Sequence, residues 1–178
     1  AGKRFAMIQL YHGDGKGKTT AAVGAAIRAA GRRRTVIFAQ FMKGRESGEL
    51  SVLRQLEQIR VLRCDQAFPF FRDMSDQEKA ELSVIHNRIL EEVLMGLREE
   101  GANFVVLDEI THACRLALAD HTLLEQILDC GRSPDKEILL TGRKPTERLL
   151  EVSHYITEML CIRHPFESGV PARHGVEL

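Results

Sequence analysis

The 178-residue chain has no tryptophan, two tyrosines, five prolines and no net charge, since 25 basic residues balance 25 acidic ones. Each shortage excludes something. Without a basic excess the chain does not look like a general nucleic-acid binder, which carries a basic patch or stripe. The one basic run, Arg32-Arg33-Arg34, is short and reads as a solvated helix end rather than a phosphate track. No apolar stretch approaches the roughly 18 residues of a bilayer span, and no secretory h-region is present, so no membrane partner is expected. The four cysteines, Cys64, Cys114, Cys130 and Cys161, form no C-x-x-C pair, which argues against a zinc knuckle or a thioredoxin motif. Isolated thiols suit a reducing cytosol, and a cytoplasmic protein is the expectation. The seven histidines show no metal-ligand spacing. No G-x-S-x-G or Ser-His-Asp arrangement suggests covalent serine chemistry.

What is present is a strong alternation of strand and helix signals. Hydrophobic residues make up 44% and charged residues 28%, an ordinary balance for a globular chain. At this length a single domain spanning residues 1–178 is expected, able to bury roughly two-thirds of its unfolded surface without a staple. Apolar, β-rich runs predict strands over 5–11, 35–41, 59–63, 103–107, 137–141 and 154–159. Helices are predicted over 19–30, closed by Gly31, over 48–58, within 113–130, and over 146–152. Ser75 and Glu78 make a capping box. The helix they open carries Leu82, Ile85, Ile89, Val93 and Leu97 at spacings of three or four, and stops at Gly101. Residues 67–74 read as a loop and 163–178 as irregular. The pattern implies an α/β fold, a mostly parallel sheet with helices on both faces.

The strongest chemical signal lies between the first strand and its helix: Gly13-Asp14-Gly15-Lys16-Gly17-Lys18-Thr19-Thr20. In that context glycines let backbone N–H groups converge on phosphate oxygens, lysines neutralise them, and the threonine hydroxyl reaches Mg²⁺. The usual spacing G-x-x-x-x-G-K-[ST] would put a glycine at position 12, which is His12, so the loop opens differently. The second signal is Asp108-Glu109 at the end of the most apolar strand, placed to hold Mg²⁺ directly or through water; the pair also reads as a helix N-cap. Arg143, after Thr141-Gly142, ends another buried strand, at the edge where parallel sheets bind ligands. It can serve a phosphate or a surface ion pair, and Gln40 and Lys43 at the same edge carry the same two readings. Phe68, Phe70 and Phe71 read either as core or, because Pro69 marks a loop, as a platform for a large flat apolar ligand. His112 reads as a capping or core residue. On these residues alone a P-loop ATPase or kinase, or an ATP-sensing module without turnover, stays open. Paired cysteines for a zinc-bearing thymidine kinase are missing.

Taken in order, these blocks resemble the P-loop ATP:corrinoid adenosyltransferases. The matching stretches run from Gly13 to Ala22, then Gln40-Phe41-Met42-Lys43-Gly44 with Gly48-Glu49, and Val106-Leu107-Asp108-Glu109-Ile110. They continue with Leu140-Thr141-Gly142-Arg143, Thr157-Glu158-Met159, and His164-Pro165-Phe166 with Ser168-Gly169. The resemblance implies a RecA-like P-loop fold, commonly a homodimer. It implies attack by a cob(I) corrinoid on the ribose C5′ of ATP with release of triphosphate, in adenosylcobalamin biosynthesis or salvage. A flavin-type reductant or reductase would supply the cob(I) state. Carried over by position, Gly13, Asp14, Gly15, Lys16, Gly17, Lys18, Thr19 and Thr20 bind the triphosphate, with Lys18 the catalytic cation and Gln40, Lys43 and Arg143 assisting. Thr19, Asp108 and Glu109 are the Mg²⁺ candidates. The family's triphosphate lies reversed relative to ordinary NTPases, in keeping with the altered loop opening. Phe68, Phe70 and Phe71 match the corrinoid-facing segment, whose aromatic side chains help displace the lower axial ligand and make a four-coordinate Co(II) easier to reduce.

Overall fold

A computed structural model of the chain describes residues 6–44, 47–165, 169–173 and 175–176; Phe5, Phe166 and Ser168 lie outside these. Among the described residues six strands form one sheet: β1 (Met7–His12), β2 (Val36–Gln40), β3 (Ile59–Arg63), β4 (Phe104–Asp108), β5 (Glu137–Gly142) and β6 (Tyr155–Glu158). Every pairing is parallel, in the order β3-β2-β4-β5-β1-β6. Among the described residues six α-helices connect them: α1 (Lys18–Ala30), α2 (Gly48–Leu53), α3 (Asp76–Arg98), α4 (Ile110–Arg115), α5 (His121–Cys130) and α6 (Glu147–Val152). This is the RecA-like P-loop arrangement, and the α/β expectation holds.

The central strands carry apolar side chains on both faces because helices cover both. Ile37, Ala39, Val105, Leu107, Ile138 and Leu140 point to one layer with Leu90, Val93 and Ile127 of α3 and α5. Val36, Phe38, Val106 and Leu139 point the other way, against Ala22 and Ala26 of α1 and Leu50 and Leu53 of α2. Alanines on α1 let that helix lie close to the sheet. β6, at the edge, is exposed along its length.

Most predicted elements appear with ends moved by a residue or two. The Ser75–Glu78 capping box is formed, and α3 runs 23 residues from it. Three readings need correction. The helix predicted over 48–58 stops at Leu53, and residues 54–58 form turns that lead into Ile59 of β3. The helical segments within 113–130 start earlier, at Ile110, and Ala117, in the left-handed region at φ 54°, lies between the two helices. Arg34 is not a solvated helix end. It donates to Asn103 Oδ1 at 3.2 Å and to the carbonyls of Asn103 and Asp135 at 2.5 and 2.6 Å, and its guanidinium covers the Phe104 ring. It ties the N-terminal ends of the central strands together. No helix among the described residues is long and apolar enough to cross a membrane.

Candidate active site

The site follows from strand order. In the sheet β5 lies between β4 and β1, and β2 lies on the far side of β4. Gln40 is in register with Asp108, Tyr11 with Thr141, and His12 with Gly142. Residues from four distant stretches therefore reach the same carboxyl edge, where the P-loop begins.

His12 is the last residue of β1, and its carbonyl accepts from Met159 N–H at 2.8 Å. The loop therefore opens at Gly13 because position 12 is still strand. Gly13 has φ +111°, and a Cβ there would sit 2.3 Å from the Met159 carbonyl oxygen, so only glycine fits. Gly15 N–H donates to that same oxygen at 2.7 Å. Asp14 Oδ1 accepts from Cys161 N–H at 3.2 Å. In this state Asp14 is a tie between the P-loop and the segment after β6 rather than a group turned to phosphate. The block Thr157-Glu158-Met159 marks that strap, a role its residue types do not reveal.

Lys18 is buried and donates to the Gly15 carbonyl at 2.7 Å, inside its own loop. Burial, and behind it the Arg143 charge, lowers its pKa from the ordinary lysine value. Lys16 and Thr20 are exposed beside it.

Asp108 is fully buried. Its Oδ1 accepts from Thr19 Oγ1 at 2.9 Å and Thr141 Oγ1 at 2.7 Å. Its Oδ2 accepts from Lys43 Nζ at 3.0 Å and Gln40 Nε2 at 3.2 Å. Lys43 Nζ also donates to Thr19 Oγ1 at 3.2 Å. Four partners and one ion pair compensate the desolvation of the carboxylate. Neither acid caps α4. Glu109 occupies its N-cap position with no side-chain cap bond, in the left-handed region at φ 62°. Its N–H donates to Thr141 Oγ1 at 2.9 Å, which holds an otherwise unfavourable turn. The Glu109 side chain lines the cavity described next. Sequence reasoning missed Thr141 as a site residue; its position at the end of a buried strand, before Gly142, was the available signal.

A cavity of about 1000 Å³ opens over this edge. One end is lined by Lys16, Gly17, Lys18, Thr19, Thr20 and Lys43. The other end is lined by Phe68, Pro69, Phe70 and Phe71, with Cys64, Met74, Leu82 and His112. Phe68 and Phe71 lean on a small apolar cluster of Cys64, Met74, Leu82 and Leu118, so both readings of the aromatic group apply in part. Phe70 is 74% exposed. Arg143 is exposed, makes no ion pair among the described residues, and does not line the cavity. His112 is half-buried, and burial lowers its pKa.

His86 supports the site from below. It is fully buried, accepts from Met42 N–H at Nε2 and bonds the Leu118 carbonyl through Nδ1, both at 3.2 Å. It thereby holds Met42, at φ 60°, and the turn that aims Lys43. Burial lowers its pKa to about 4, so it is neutral, with Nδ1 carrying the proton. No motif flagged it, because its partner lies 44 residues away.

Residues 4–178 match the family described as ATP:corrinoid adenosyltransferase BtuR/CobO/CobP. A corrinoid adenosyltransferase from Sinorhizobium sp. is 30% identical over 96% of this chain and 79% of its own length. One from Escherichia coli K12 is 29% identical over 96% of this chain and 85% of its own. The corrinoid adenosyltransferase CobA of Salmonella typhimurium LT2 is 28% identical, with the same two coverages.

Proposed function

Because the chain belongs to the ATP:corrinoid adenosyltransferase family, we propose that its large cavity binds ATP at the P-loop end and a cob(I) corrinoid against Phe68, Phe70 and Phe71. The observation that carries this reading is that one continuous cavity joins the P-loop to the aromatic loop. A nucleotide alone explains the first end and leaves the second without purpose.

In this reading the electron pair of Co(I) forms the bond to the ribose C5′. The C5′–O bond breaks, and its electrons leave with the triphosphate. Co(I) carries no proton, so no general base is needed. What the protein must stabilise is the negative charge developing on the leaving triphosphate. Lys18 exchanges its bond to the Gly15 carbonyl for a phosphate oxygen, and Lys16, Lys43 and Arg143 add positive charge. The backbone N–H groups of Gly13 and Gly17 and the start of α1 complete the cradle, with Asp14 and the Gly15 N–H tying the loop. Thr20 stands beside Thr19 at the same helix start. Gln40 orients Asp108.

The donor set suits Mg²⁺. It offers the Thr19 hydroxyl, one buried carboxylate and Glu109, all oxygen, and Gln40 Oε1 is a buried acceptor without a partner. Mg²⁺ is held by one or two carboxylates plus substrate phosphates rather than by an all-protein cage. Among the described residues no group of three or more His, Cys, Asp or Glu is placed to hold a metal ion by itself. When bound with ATP, Mg²⁺ supplies charge neutralisation on the leaving phosphates.

Phe70 covers the corrinoid face and, with Phe68 and Phe71, displaces its lower axial ligand. A flavin-type reductant or reductase delivers the reduced cobalt, and a homodimer is the working assembly. Four free cysteines suit the cytoplasm. An anaerobic mixture of protein, MgATP and cob(I)alamin tests the reading by corrin absorbance and phosphate analysis. Adenosylcobalamin with intact triphosphate is expected. ADP and phosphate with unchanged corrin would overturn it in favour of an ATPase or kinase.

A further inference from the structure

Three of the four side chains that bond Asp108 are neutral: Thr19, Gln40 and Thr141. Among the described residues Lys43 is the one cation paired with it, its Nζ 3.0 Å from Oδ2. The same ammonium donates to Thr19 Oγ1 at 3.2 Å. It therefore bridges the hydroxyl and the carboxylate that a P-loop enzyme offers to a divalent cation. Its backbone is held independently of that bridge, because His86 fixes the Met42 N–H one residue earlier. Only the side chain of Lys43 need move for the bridge to open.

Gln40 gives a second, separate observation. Its Nε2 donates to Asp108 Oδ2, while its Oε1 is buried with no partner. Turning the amide over would set two acceptors against each other, so the orphan is built into the arrangement. A buried acceptor of this kind is costly unless something donates to it. Lys43 does not. The water shell of a hydrated divalent cation supplies such a donor.

We propose that Lys43 is a tethered counter-ion that occupies the divalent-cation position between Thr19 and Asp108 in the nucleotide-free protein and is displaced when the metal enters with ATP. The exchange keeps the Asp108 side chain paired and aimed before substrate arrives. It also makes the protein alone a poor metal binder, so that metal and nucleotide enter together. The displaced ammonium stays in the cavity that Lys43 already lines, free for the triphosphate. The inference rests on the P-loop reading of the proposed function, but not on the corrinoid reaction.

Mn²⁺ serves as the probe, titrated by electron paramagnetic resonance into the nucleotide-free protein. Lys43→Gln is expected to bind it about tenfold more tightly than the wild type, as when a competing state populated about nine parts in ten is removed. Asp108→Asn should abolish the site in either background. Equal affinity with and without Lys43, or binding to neither, overturns the proposal. The wild type supplies an independent reading through pulse acylation of Lys43, followed by mass spectrometry. Labelling should rise several-fold over the same Mn²⁺ range that saturates the resonance signal. Flat labelling while Mn²⁺ binds overturns the exchange even where Lys43→Gln binds more tightly, since the lysine then acts only by repulsion. Loss of corrin turnover with these two results intact would count against the proposed reaction and not against the exchange.

Discussion

At one end of the cavity Asp108 is fully buried and held by four side chains from α1, β2, the turn after β2, and β5. At the other, Phe70 is 74% exposed on a loop whose only regular structure is one 3-10 turn, Phe71–Asp73. Under the proposed function, the difference follows what each end would bind. Triphosphate and Mg²⁺ are strongly hydrated, and stripping their water is worthwhile only against donors and charges already in place. A flat corrin ring is bound by area, and exposed aromatic rings deliver area without prior order. The polar end is preorganised at the protein's expense, while the aromatic end leaves apolar surface for the ligand to cover.

The largest test of this contrast is Lys18→Ala. It should cost about 100- to 1000-fold or more in adenosyl transfer, the range for removing a principal donor to developing charge. Near-normal turnover, followed by corrin absorbance, would dissolve the polar end as the catalytic one. Next in size is acid. His86 has its pKa lowered to about 4 by burial, so the unfolded chain takes up its proton first as pH falls. Its contribution is intact above about 6.5 and is lost on the way down to about 4, on the order of 3 kcal/mol in all. Urea denaturation across that range should show the slope in the wild type, and His86→Gln should flatten it.

Thr141→Val is expected to cost about 1–3 kcal/mol of stability, because Glu109 N–H and Asp108 each lose a buried partner. An unchanged urea midpoint would mean that the threonine's two bonds contribute nothing. Phe70→Ala sharpens the other side. With the ring mostly in solvent, stability should move by no more than about 0.5 kcal/mol. Yet the reaction from cob(II)alamin should slow by about three- to tenfold, in keeping with one lost aromatic contact, and much less from chemically prepared cob(I)alamin. Equal losses in both assays would remove the axial-ligand role.

Local signals were legible and came through almost unchanged. Ser75 and Glu78 are three residues apart, and their reciprocal bonds form within one turn. The P-loop, too, is a contiguous run, so its place between β1 and α1 followed directly. Arg34 was misread because its partners, Asn103 and Asp135, lie 69 and 101 residues away. Thr141 and His86 were passed over for the same reason: their partners, Asp108 and Met42, lie 33 and 44 positions away.

By itself the sequence determined the alternation of strands and helices, the phosphate loop, the acidic pair and the aromatic segment, since each depends on neighbours a few residues apart. Only the tertiary structure decided that β5 would lie between β4 and β1, bringing Thr141 to Asp108. It alone laid Met159 against Gly13, which sets where the loop opens, and put the Lys43 ammonium between Thr19 and Asp108. Those contacts depend on strand order and on which polar groups are buried together. No local propensity encodes either, because both are settled by packing the whole sheet at once.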